Sequence, residues 1–223
     1  MNPTAGGTSD SSRTSASSTP AWPVDAPELS GGSATVAVMT EQVWCGVVEL
    51  RQYMLKPGQR DVLIELFERE LVEPQEALGM RIIGTFRDLD DPDRFVWLRG
   101  FADMAARHAS LTGFYHGPVW AEHREAANAT MVDSDDVLLL RPCGPFTRPK
   151  TPGKPVTVTV SDRHVTGSQV VATLRSEHAP NTFPALPVRE NEDVAVTVAV
   201  QDNSPEPSPE TLRLEPTARS WLR

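Results

Sequence analysis

Cysteine is almost missing from this chain, with Cys45 and Cys143 its only two. Two thiols cannot build a disulfide framework or fill a structural zinc site. Positive charge is short as well: 21 Lys and Arg stand against 30 Asp and Glu, for a net charge of −9. A protein that grips nucleic acid needs a basic face, so that class of partner is set aside. Apolar runs are short, none approaching the ~20 residues of a membrane span. There is no Gly-rich phosphate loop, no nucleophile elbow and no His-Glu-x-x-His. Histidines at 108, 116, 123, 164 and 178 lack ligand spacing, and no metal site is expected.

Residues 1–42 are mostly Ser, Thr, Gly, Pro and Ala, with almost no large apolar side chains. Such a stretch cannot offset its ordering entropy and reads as disordered. It has no apolar core of a secretory signal, and its few basic residues are balanced by Asp10, Asp25 and Glu28. A cytoplasmic, reducing compartment is the expectation. Met39, just ahead of the first structured segment, is an alternative to Met1 as the native start.

What the chain does have is an internal echo. Gly79-Met80-Arg81-Ile82-Ile83-Gly84-Thr85-Phe86-Arg87 returns as Gly167-Ser168-Gln169-Val170-Val171-Ala172-Thr173-Leu174-Arg175, and residues 136–142 return as 210–216. An echo at this spacing reads as a duplicated folding unit. In the first unit, 43–54 alternates as a strand. A helix then starts near Pro57, with Leu63, Leu66, Phe67 and Leu71 on one face, and Pro74 should end or kink it. Strands at 80–88 and 94–101 flank a turn rich in aspartate. Met104, His108, Leu111 and Tyr115 mark a second helix, Gly117-Pro118 restarts a third, Asp133-Ser134 turns the chain, and 136–142 is a last strand. The order β-α-β-β-α-β is the α+β, ferredoxin-like unit over 43–143. Residues 144–155 read as a linker. The second unit, 156–223, has strands near 156–160, 168–176, 193–200 and 210–216 but no room for covering helices, so it reads as a helix-poor, β-rich repeat. Both faces of the first unit's strands carry large apolar residues. The uncovered one should be buried against the second unit, as an intrachain pseudo-dimer through sheet faces, or against another subunit by self-association.

Residues 45–143 resemble the NIPSNAP family. The resemblance is carried by Glu49-Leu50-Arg51-Gln52-Tyr53 with Lys56-Pro57-Gly58, by the run from Phe86 to Phe101, by Phe114-Tyr115-His116-Gly117-Pro118-Val119-Trp120, and by Ala126-Ala127-Asn128-Ala129-Thr130-Met131. Residues 181–190 and 212–220 look like the end of bacterial two-unit members. The resemblance implies a dimeric α+β barrel. Its fold relatives include cofactor-free monooxygenases and haem-dependent enzymes, while bacterial members mostly lack an assigned reaction.

His108, on the apolar stripe of its helix, is expected to face the sheet, as a core histidine, a general base or a haem ligand. Trp120 and His123 could line the same cavity. Tyr53 and Trp97 lie on the first and third strands, expected to be the central parallel pair, and could wall a small apolar pocket that Tyr115 joins. Arg51 and Arg99, if they face inward, must find an anion or a carboxylate such as Glu49. No convincing acid–base pair appears. The expected function is therefore a binding or interaction module with no cofactor. The alternatives are a cofactor-independent monooxygenase or isomerase acting on an aromatic or polyketide-like compound and, more remotely, a haem protein. Cys45 and Cys143 should be neighbours where the first and last strands pair. Removing Met1 to about Thr40 is expected to lower the melting temperature by less than about 4 °C in a thermal scan, since the segment offers no apolar stripe to the core.

Overall fold

A computed structural model describes residues 42–166, 169–201 and 211–223. The expected disorder of the amino-terminal segment, and the start of the echo at Gly167 and Ser168, lie outside the described residues. Gln42, at the edge of that segment, already pairs in a strand.

Among the described residues, ten strands and five helical segments follow in order. They are β1 (Gln42–Val43), β2 (Val47–Leu55), α1 (Arg60–Leu66), a π-helical turn (Phe67–Leu71), α2 (Val72–Ala77), β3 (Arg81–Asp88), β4 (Arg94–Phe101), α3 (Met104–Tyr115), α4 (Pro118–Thr130), β5 (Met131–Pro142), β6 (Phe146–Thr147), β7 (Val156–Ser161), β8 (Val170–Ser176), β9 (Ala195–Val200) and β10 (Thr211–Pro216). Eight strands close into a barrel in the order β10-β3-β4-β2-β5-β8-β9-β7. The mixed α/β architecture agrees with the expected class.

Period-two alternation explains the barrel. Val48 and Leu50 of β2, Val96 and Leu98 of β4, and Leu138 and Leu140 of β5 point inward, meeting Val156, Val158, Leu174, Val196 and Val198 from the other half. The opposite faces of β2 and β4 turn outward beneath α1, α3 and α4, where Leu63, Phe67, Leu111 and Phe114 form a second core with Phe95, Trp97 and Phe101. The first half's inner face is thus covered within the chain.

The halves meet at strand edges, not only face to face. At one seam Pro142 lies opposite Leu174 and Arg141 opposite Arg175; at the other, Pro216 lies opposite Phe86 and Glu215 opposite Arg87. These pairs occupy echoed positions. Both halves also share a strand order, and each breaks register at the echoed step, between Ile82 and Gly84 and between Val170 and Ala172.

Helices are absent from 156–216 among the described residues, and the outer face there is built to do without them. Thr173, Thr197, Thr159 and Thr211 stand opposite one another across β8, β9, β7 and β10. A threonine face tolerates water, so it needs no amphipathic cover.

Several expectations are corrected. β2 and β4, the central pair, run antiparallel. The crossover through α1 makes β3 parallel to β2, and the β3–β4 hairpin then reverses the chain. Of the two outcomes expected at Pro74, an end or a kink, the helix does not end there. The widened π turn precedes it and the helix runs to Ala77. There Gly79, at φ 85°, completes a Schellman cap in which Met80 N donates to Gln75 O. Asp133 and Ser134 lie within β5, where the register slips against Met54. The segment 144–155 is not a free linker, because β6 pairs with β1 and Phe146 is fully buried.

Cys45 and Cys143 are bracketed by the pairs Val43–Phe146 and Val48–Leu140, and both are free thiols. Burial pushes the Cys45 thiol up to about 12. A Cβ on Gly100 would run into Cys45 Sγ, so a glycine is required there.

A chain ending after residue 143 leaves the edges of β3 and β5 unpaired and the barrel interior open. Light scattering is expected to show that fragment as a dimer or larger, with the full chain monomeric at the same concentration.

Candidate functional site

Glu49 of β2 lies directly opposite Arg99 of β4, and Arg51 lies opposite Trp97. Strand alternation sends all four outward, under the helices. A third arginine arrives from above. Asp103 caps α3 by accepting from Ala106 N at 2.7 Å. That start sets the helix phase so that Arg107, Ser110, Leu111 and Phe114 face the sheet.

The result is one carboxylate gripped by three guanidinium groups. Glu49 Oε2 accepts from Arg51 Nη1 at 2.9 Å and from Arg99 Nη2 at 2.6 Å; Glu49 Oε1 accepts from Arg107 Nε at 2.7 Å. None of the four residues is more than 1% exposed. Neutral groups take up other donors: Arg51 Nε donates to Tyr53 Oη at 3.0 Å, and Arg99 Nη1 to Gln75 Oε1 at 2.9 Å. Gln75 is positioned in turn by its own donation to Leu71 O.

Aromatic rings form the remaining wall. The Arg99 guanidinium carbon lies 4.8 Å from the Trp97 ring centre and that of Arg51 5.5 Å from Tyr53. Trp97 meets Phe67 edge-on at 4.8 Å and Tyr53 at 5.9 Å. Two buried donors in this group have no partner, Trp97 Nε1 and Arg107 Nη2.

The charges shift one another. Burial opposes the charge on Glu49, but Arg99, Arg51 and Arg107 together hold its carboxyl well below the usual carboxylate range. Burial also opposes the charge on Arg99, where Glu49 with Tyr115 and Tyr53 more than offsets it; on Arg51, Tyr53 and Glu49, joined by Tyr115, do the same. For Arg107 burial wins, and its guanidinium holds its proton less firmly than an ordinary arginine.

The second half reaches over to this cluster. The strap between β8 and β9 places Asn181 Oδ1 3.0 Å and Thr182 Oγ1 3.3 Å from Arg107 Nη1, and buries Phe183 against Tyr115. It is tied to β5 where Glu177 N donates to Leu139 O and Arg189 N to Val137 O.

Of the residues singled out in the sequence, Tyr53, Trp97 and Arg99 sit in this cluster. Tyr115 is half-buried beside it, acting electrostatically on Arg51 and Arg99 and packing against Trp120 at 5.0 Å. His123 lies apart, with Nε2 3.8 Å from Glu70. His108 is a correction: it is exposed, with Nδ1 2.6 Å from Thr182 O. The stripe on α3 is turned one residue from the expected one, because the sheet face is led by the charged Arg107 and not by the nearest large apolar side chains. Arg107 was missed; the Asp103 cap was the signal that could have found it.

Replacing Glu49 with Gln leaves three buried cations without a counter-ion and is expected to cost about 3–5 kcal/mol in denaturant unfolding. The depressed carboxyl pKa of Glu49 makes its contribution complete above the unfolded carboxylate range of about 4.3 and lost as pH falls further. A melting profile against pH should therefore lose an acid-side slope in Glu49→Gln.

Residues 48–145 match the profile of the NIPSNAP family. Nothing among the curated proteins matches the chain. Among solved structures, an uncharacterised NIPSNAP-like domain protein of Burkholderia xenovorans is 27% identical, with 42% of this chain and 81% of that one aligned at a TM-score of 0.39. A NIPSNAP family protein of Agrobacterium tumefaciens is 20% identical, with 43% and 84% aligned at 0.40. A Lactobacillus acidophilus protein whose name suggests a monooxygenase is 12% identical, with 70% and 77% aligned at 0.47.

Proposed function

The chain carries a NIPSNAP domain at residues 48–145, and we propose that it acts as a binding module that takes a small, flat molecule between the outer face of its sheet and its helices, without catalysing a reaction. The observation that carries this reading is Trp97 Nε1. It is a buried donor with no partner, set in a wall of aromatic rings made by Tyr53, Phe67 and Phe95. Leaving such a donor unpaired costs about 1–3 kcal/mol, which a bound acceptor recovers.

The absence of chemistry is supported by how the polar groups are used. The only carboxylate in the cluster is held by three arginines and is a poor proton acceptor. The histidine that a monooxygenase or isomerase reading would need is outside, on the Thr182 carbonyl. The same engagement of His108, with His123 set beside Glu70, supports a module that needs no haem or other cofactor.

Residues 156–223 are, in this reading, a degenerate second copy of the unit. Its support is the shared strand order, the matched seams and the matched register breaks. The second copy takes the place that another subunit would fill. A cytoplasmic setting belongs to the same proposal and is supported by the scarcity of cysteine. No described helix is long and apolar enough to cross a membrane.

The test is thermal shift and native mass spectrometry of the full chain against a panel of small aromatic compounds. At least one compound is expected to raise the melting temperature of the wild type and to do so less in Trp97→Phe. Turnover of a bound compound, a Soret band in the purified protein, or a panel without any binder would overturn the proposal.

A further inference from the structure

Charge in the cluster does not balance. Three arginines that are at most 1% exposed face a single glutamate, and the other groups they touch, Tyr53, Gln75, Asn181, Thr182 and the Ser134 carbonyl, are neutral. Two positive charges are left over in a place that water does not reach. Buried charge without a counter-charge is costly, and proteins resolve it by pairing or by binding an ion.

The three guanidinium groups are not equally satisfied. Arg51 and Arg99 spend their donors on Glu49, Tyr53 and Gln75 and rest against aromatic faces. Arg107 binds Glu49 through Nε and the strap through Nη1, which leaves Nη2 buried and bare. Burial already weakens its hold on the proton, although Glu49 pairs with its Nε.

We propose that the ligand of this site is a small aromatic carboxylate, its anionic oxygen on Arg107 Nη2 and its ring against the wall of Trp97 and Tyr53. This rests on the binding reading above and names the class of ligand within it. A carboxylate supplies the missing charge, and its hydrogen bond from a cation is stronger than one from a neutral donor. A neutral ring of the same shape would fill the wall and leave the excess charge in place. Asn181 and Thr182 act as positioning residues. By holding Arg107 Nη1 they fix the plane of the guanidinium and so the direction of Nη2. Recognition by the NIPSNAP domain thereby depends on a segment of the second half.

Calorimetric titration of the full chain with benzoate and with benzamide, at matched ionic strength, tests the proposal. Benzoate is expected to bind at least about tenfold more tightly, the effect of one charge-assisted hydrogen bond. In Arg107→Met that preference should vanish while benzamide binding persists. Asn181→Ala should weaken benzoate several-fold and leave benzamide unchanged, a split that mere loss of packing would not give. If Arg107→Met fails to fold, Arg107→Lys keeps a charge without the fork and should likewise lose most of the preference. Equal binding of the two compounds overturns the carboxylate assignment and leaves the binding module standing. An undiminished preference in the Arg107 variants moves the anion elsewhere and overturns it too. Failure of both compounds, together with every other flat probe, removes the binding reading itself.

Discussion

One carboxylate organises the first half of this protein. Glu49 ties β2 to β4 through Arg99 and binds α3 to the sheet through Arg107. Removing it would strand three cations in the interior, whereas an apolar replacement of the whole cluster could pack as well or better. A group kept at such expense sets geometry more than it adds stability. It fixes how α3 lies over the sheet, and through Gln75 it links the end of α2 to the same point.

The second constraint is closure. A four-stranded sheet with helices on one side has an exposed inner face and two raw edges. The second half supplies matching strands for both edges and valines for the interior, so one chain completes the barrel. Its own outer face carries paired threonines, which need no covering helix. The carboxy-terminal tail finishes one side: Thr217 N and Leu222 N donate to Thr85 O and Ile83 O, and Trp221 and Leu222 enter the core.

Much of this was legible in the residues. Alternation in 43–54 and the β-rich run 94–101 located two of the strands, and Gly117-Pro118 marked the start of α4. The echo predicted the partner strands, and the need of Arg51 and Arg99 for a carboxylate named Glu49. What was not legible had physical reasons. Helix phase on α3 was misjudged because Leu111 belongs to both candidate stripes, and a buried arginine is the residue a hydrophobic pattern passes over. Pro74 was expected to end or kink its helix; the helix continues past it after a widened turn, which side-chain order does not report. The strap of 177–192 lay between two expected strands, and only the resemblance of residues 181–190 singled any of it out. Its importance depends on contacts more than 70 positions away, such as Arg107 with Asn181, which no local signal reports.

Joining both halves in one polypeptide has an evolutionary corollary. In a pair of identical subunits every substitution is made twice, so a loop cannot be lengthened over one site without being lengthened over the other. Here the hairpin joining β3 and β4 is a tight turn of a few residues, while its counterpart joining β8 and β9 is long enough to lie across the first half. One polypeptide thus lets two halves of the same strand order carry loops of different length, one of them lying over the other half. A barrel whose halves share a strand order is in this way lopsided in its loops.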